Sequence, residues 1–149
     1  LNDPGLPALR KLEQFFRGIA SFKAAQKDLV LAVTEVWLSN GNALLREKLR
    51  RLSGRLLRPV LTQVIRQGVE EGTMTVSSPD ETARIIVSLL QGDQDLAGEL
   101  LLGRQAGTVS FEVVAQTFAA SSEAFERILG VPPGSITVIE KKTLHFWFG

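Results

Sequence analysis

The chain has 149 residues, enough for one domain that buries a core without disulfide or metal support. Its 17 basic residues against 16 acidic ones leave a net charge of +1, which gives no global attraction to nucleic acid or an anionic membrane. Cysteine is absent, which excludes disulfides, thiolate metal sites and cysteine nucleophiles and fits a reducing compartment. The longest apolar run, about Leu29 to Val33, is far short of the roughly 20 residues a membrane span needs, and no signal peptide is visible. The chain starts Leu1-Asn2-Asp3-Pro4 without Met, so it reads as a fragment of a longer protein.

Residues 1–7 are turn-rich, and Pro7 suits the first turn of a helix. From there Leu9, Leu12, Phe15 or Phe16, Ile19 and Phe22 form one apolar stripe, which predicts an amphipathic helix to about Ala20 or Phe22. A second helix is expected from about Ala24 to Leu38, with Leu29, Val30, Val33, Val36 and Trp37 as its apolar face. Ser39-Asn40-Gly41-Asn42 is a turn signal in which Asn40 or Asn42 can cap the next helix. Between about Ala43 and Glu71 the residues Leu45, Leu49, Leu52, Leu56, Val60, Val64 and Ile65 recur at helical spacing. Pro59 lacks a backbone donor and clashes with the preceding turn, so a kink or break is expected near Arg55, eased by Gly54. One bent helix and two helices both fit.

Ser78-Pro79-Asp80-Glu81 reads as a helix start with a capping box and proline at the first position. Ala83, Ile86, Val87 and Leu90 follow, while Gly92 and Gly98 predict irregularity over Gln91 to Leu96. The segment Ser110–Gly130 carries its own start and stop: Ser110 as N-cap, Glu112 near the positive end of the dipole, and Gly130 with Pro132 and Pro133 as terminator. Its inner stripe is Val114, Phe118, Ser121 or Ser122, Phe125 and Leu129. That stripe suits an ordinary core helix or half of a helix-pair dimer interface. The tail alternates at Ile136-Thr137-Val138 and again from Leu144 to Phe148, which predicts short extended pieces docked on the helices.

No catalytic constellation is present, and none of the phosphate-cradling or nucleophile motifs occurs. The single histidine, His145, lies in an aromatic tail with no partner cluster, which suits a packed or exposed side chain better than a base or ligand. Arg46, Lys48, Arg50, Arg51, Arg55 and Arg58 spread around their helix and are interrupted by Glu47, so they read as a solvated flank rather than a phosphate-binding face. No enzyme, metal or cofactor is expected. An apolar cavity among Phe16, Phe22, Trp37 and a few polar residues such as Gln63 and Gln67 would suit a small molecule.

The order of these signals carries a resemblance. Arg58-Pro59-Val60-Leu61-Thr62-Gln63-Val64-Ile65-Arg66-Gln67-Gly68-Val69-Glu70-Glu71-Gly72-Thr73-Met74, followed by Ser78-Pro79-Asp80-Glu81-Thr82-Ala83, resembles the middle of the C-terminal regulatory domain of TetR-family transcriptional regulators. Leu6 to Leu12, the Phe15-Phe16 pair and the Trp37 helix are similar to that domain's first two helices, and Leu129 to Ser135 to its ending. The resemblance implies an all-α bundle of about five or six helices, here one regulatory domain over 1–149 with 131–149 as a docked tail. It implies a lipophilic effector among the first helices, for which Phe16, Ile19, Phe22, Val33, Trp37, Gln63 and Gln67 are the candidates. It also implies an antiparallel helix-pair homodimer through the two long C-terminal helices, with Ala83, Ile86, Val87, Leu90, Val114, Phe118, Ser122, Phe125 and Leu129 at the seam. DNA contact would belong to an N-terminal helix-turn-helix domain outside this chain, in a cytoplasmic repressor. The alternative is an all-helical interaction module with no effector and no DNA role.

Overall fold

The computed structural model describes residues 3–24 and 26–149, with residues 20–24 described by their backbone alone. Six α-helices follow one another, with no strand among the described residues: α1 (Ala8–Ala24), α2 (Lys27–Leu38), α3 (Ala43–Glu70), α4 (Pro79–Gln105), α5 (Phe111–Leu129) and α6 (Lys141–Phe148). The expected all-α bundle is the architecture observed. A short 3-10 turn, Asn40–Asn42, joins α2 to α3. No helix among the described residues is long and apolar enough to cross a membrane.

α5 has the ends its sequence specifies. Ser110 Oγ accepts from the Val113 N–H at 3.2 Å, and Gly130 closes the helix in the left-handed region at φ 65°. A side chain at Gly130 would also meet Thr75, whose Cβ lies 2.8 Å from an added Cβ. The start of α4 departs from expectation. Ser78 makes no side-chain cap, and Glu81 and Asp80 turn instead to Arg58 on α3. A charge-assisted fork is stronger than a neutral capping bond, so the carboxylates go to the guanidinium. Asn42 likewise makes no cap for α3; its amide donates back to the Val36 carbonyl at 2.6 Å.

Residues 43–70 form one helix rather than two, and α4 is regular where irregularity is expected. α3 runs unbroken through Pro59, because its flanks are held by neighbours that outweigh one lost bond. Leu61, Val64 and Ile65 beyond the proline are buried, and Gly54 before it lies against Val87 and Gln91 of α4. α4 runs unbroken through Gly92 and Gly98. Gly98 marks where α2 crosses: an added Cβ would stand 3.1 Å from Leu38 Cδ1 and 3.3 Å from Thr34 Cγ2.

The tail is the other correction. Residues 141–148 form a helix, not an extended piece. Leu144 and Phe148, one turn apart, are the two side chains it buries, so the helical period wins over the alternating one. The segment before it is pinned to α5: the Glu126 carboxylate accepts from the Ile136 N–H at 3.0 Å, and Ser122 Oγ accepts from the Val138 N–H at 3.0 Å. His145 stacks on Phe111 with ring centroids 4.6 Å apart, and Arg104 donates to the Phe148 carbonyl at 2.8 Å.

Two apolar clusters result. One joins α1, the second half of α3, the first half of α4 and the end of α5, around Phe16, Ile65, Leu90 and Phe125. The other joins the end of α4, the start of α5 and α6, around Leu101, Val114, Phe118 and Phe148.

Candidate functional site: an aromatic-walled cleft

A cleft of about 600 Å3 opens between the two clusters. Phe16 and Leu90 from the first cluster line it together with Leu101, Phe118 and Phe148 from the second. α2 contributes Val30, Val33, Thr34 and Trp37, and the first half of α3 contributes Leu49, Leu52 and Leu56. Val138, Ile139 and Trp147 of the tail complete the wall.

The cleft exists because α2 and the start of α3 are amphipathic but only lightly covered. Thr34 is the one buried residue of α2, while Val33 is 46% exposed. The leucine stripe Leu45, Leu49, Leu52 and Leu56 is 41–66% exposed. Leu49, Leu52 and Leu56 face the cleft rather than the core. Leaving so much aliphatic surface beside a cavity costs burial free energy that an apolar occupant would recover at about 25 cal/mol per Å2.

Polar groups are few and mostly engaged. Arg50 forms an ion pair with Asp95, and its backbone carbonyl accepts from Gln91 Nε2 at 2.6 Å. Arg46 donates to the carbonyls of Trp37 and Ser39, at 2.5 and 2.8 Å, at the C-terminal end of α2. Asp93 accepts from the Ser121 hydroxyl. α2 is further tied to the tail by Lys27, which donates to the Phe146 carbonyl at 2.5 Å and sits 4.3 Å from that ring's centroid.

Of the expected ligand-binding residues, Phe16, Ile19, Val33 and Trp37 line the cleft. The Phe22 side chain lies outside the described residues. Gln63 and Gln67 do not line the cleft. Gln63 is exposed on the far half of α3, and Gln67 donates to the Leu6 carbonyl and Glu71 carboxylate, fastening the lead-in to α3. Both follow the buried half of the helix, where neighbouring positions are already filled by core. The aspartates, the arginines and the tail aromatics were not read as site residues. The aromatic run ending Phe146-Trp147-Phe148 is the available signal, which the reading of the tail as short extended docked pieces leaves unused.

The residues expected at the dimer seam are covered within this chain. Ala83, Ile86, Val87, Leu90, Val114, Phe118, Phe125 and Leu129 are each at most 8% exposed in one chain, covered by α1, α3 and α6. Ser122 is half-buried and holds the tail. An inward stripe and an interface stripe share the same period, so spacing alone does not separate them.

A second hollow of about 390 Å3 lies between α1 and residues 134–143, where Arg17 bridges Glu13 at 3.0 Å and Glu140 at 2.7 Å. Among the described residues no three His, Cys, Asp or Glu side chains gather as a metal site. No protein-family model matches the sequence, and no curated protein or solved structure matches it.

Proposed function

We propose that this chain is the effector-binding and dimerising domain of a TetR-like one-component regulator, a cytoplasmic repressor whose small lipophilic effector occupies the cleft. The observation that carries the reading is the cleft: about 600 Å3, aromatic-walled, and lined by the first three helices, where the sequence resemblance implies an effector, together with α4, α5 and the tail. Its size and its few polar groups suit a small molecule. The effector would act by binding one of two conformations better. α3 offers a lever, because its first half walls the cleft and its second half is core. A shift there would change the spacing of two DNA-reading heads outside this chain, which must match half-sites about 34 Å apart. A second copy would cover apolar residues left outside on the long helices, namely Ile85, Leu89 and Leu96 on α4 and Val113 on α5.

Both tryptophans of the chain line the cleft, so intrinsic fluorescence reports on it directly. Titration with Nile red, a neutral lipophilic dye, is expected to give saturable energy transfer from tryptophan at one dye per chain. Trp37→Ala, read through Trp147, is expected to weaken that binding about tenfold, or about 1.4 kcal/mol, at unchanged fold. Absence of saturable binding would sink the effector reading. The exposed leucine stripe of α3 favours the second reading, an interaction module, and binding of an amphipathic helical peptide in place of the dye would establish it.

A further inference from the structure

We infer that the outer face of α3, from Leu44 to Leu56, docks an amphipathic helix of a partner protein whose apolar side is edged by carboxylates. Two rows run side by side along this half of the helix. Leu45, Leu49, Leu52 and Leu56 recur at spacings of four and three and form an exposed apolar row. Lys48, Arg51 and Arg55 recur in the same way and form an exposed cationic row beside it, headed by the exposed Leu44. From Leu45 to Leu56 the apolar row is about 17 Å long, about three turns of helix. Leu44, Leu45, Lys48, Arg51 and Arg55 do not line the cleft, so the face stands whether or not the cleft holds an effector.

The charge of the face sets the partner. Residues 44–58 carry six basic side chains against one acidic, Glu47. Arg46, Arg50 and Arg58 are engaged within the fold, by the carbonyls of Trp37 and Ser39, by Asp95, and by Asp80 with Glu81. The outer row is not. Lys48 and Arg55 form no ion pair among the described residues, and the side chains outside that description, of residues 1, 2 and 20–25, include no carboxylate. Arg51 pairs with Glu47 one turn earlier, at 3.0 Å, and both side chains are exposed, so the contact is worth little against water. Three cations beside an uncovered leucine row call for carboxylates and an apolar surface together.

Other occupants meet one row and miss the other. A phosphate backbone would satisfy the cations and leave the leucines in water. An anionic lipid surface favours cations along each apolar face it takes up. α2, which also walls the cleft, exposes Leu29, Val33 and Val36 with the carboxylates Asp28 and Glu35 beside them, the wrong sign for such a surface. A partner helix about three turns long lies along α3 alone. It presses its apolar side on the leucines and sets its carboxylates on Lys48, Arg51 and Arg55.

The test is fluorescence anisotropy on the full chain with three labelled helical peptides of about 18 residues, or five turns. Each carries a leucine row and beside it a row of glutamate, glutamine or lysine. The glutamate peptide is expected to bind at least about tenfold tighter than the glutamine peptide, and the lysine peptide most weakly. Lys48→Glu with Arg55→Glu is expected to invert that order. Arg127→Gln with Lys142→Gln removes two charges from exposed positions on α5 and α6 and is expected to leave the order unchanged. Equal binding of the glutamate and glutamine peptides, or an order that survives Lys48→Glu with Arg55→Glu, overturns the docking face. Binding to phosphatidylglycerol vesicles with no peptide bound also overturns it and makes the occupant a lipid surface. Self-association that Lys48→Glu with Arg55→Glu abolishes overturns it in favour of a second copy. Nile red added to the peptide-saturated chain separates this face from the cleft. Retained dye binding leaves both standing, and dye excluded by the peptide keeps the docking face and assigns the cleft to the same partner. Should the double variant lose its helical signal in circular dichroism, Lys48→Gln decides: a preference for glutamate as large as in wild type overturns the docking face.

Discussion

Glu126 is a charged residue with only 6% exposure, and its role is structural. Its carboxylate accepts from the Ile136 N–H, and that bond turns the chain back along α5 after Gly130. Glu126→Ala leaves a buried backbone donor without a partner. The expected cost is about 1–3 kcal/mol in urea unfolding, while Glu126→Gln, which keeps an acceptor, is expected to recover most of it. Equal stability of wild type and Glu126→Ala would mean the tail is held by its apolar contacts alone. None of this was legible in the sequence, where Glu126 looks like any helical glutamate. Ser110 and Gly130, by contrast, were legible because a cap acts on its own few residues and needs nothing distant.

Between elements, the clearest coupling is the fork from Arg58 on α3 to Asp80 on α4, with Nε to Oδ1 at 3.2 Å and Nη2 to Oδ2 at 2.6 Å. Hydrogen bonding from Arg58 holds the Asp80 carboxyl below its ordinary pKa, with Thr62 adding a second donor. A depressed folded pKa contributes stability above the unfolded value of about 3.9. That contribution is lost as pH falls through the folded value. Asp80→Asn is therefore expected to melt lower than wild type at pH 7, and the gap to close as the pH is taken below about 4. A gap independent of pH would remove the ion pair as its cause. Helix lengths were predicted well wherever the apolar stripe was long. Pro59, Gly92 and Gly98 do not break their helices, because their local penalties of roughly 1–3 kcal/mol are outweighed by the packing of α3 on α4 and of α2 over Gly98.

At the scale of the molecule, the question is what meets the outside of α4 and α5. Their best apolar stripes are consumed by this chain's own core, so Phe118→Arg would disrupt folding rather than a dimer. The remaining candidates are Ile85 at 53%, Leu89 at 36% and Leu96 at 38% exposure. If a second copy covers them, Leu89→Arg is expected to shift the chain from dimer to monomer in analytical ultracentrifugation with its helical signal intact. A wild-type chain that sediments as a monomer at tens of micromolar, or a Leu89→Arg variant that remains dimeric, would refute this interface.

The amino-acid order by itself determined the all-helical class, the approximate span of each long helix, both ends of α5 and four of the cleft-lining residues. These follow from interactions within one or two turns, such as caps, period and proline placement. The tertiary structure decided which side of each apolar stripe becomes core and which lines a cavity. It also made Leu144 to Phe148 a helix and brought Asp93, Trp37 and Trp147 to one cleft across more than a hundred residues of chain. The physical reason is that burial is a property of pairs of surfaces. Helical period shows that a residue has an apolar side to hide, but only the partner packed against it decides whether that side meets core, ligand or a second chain.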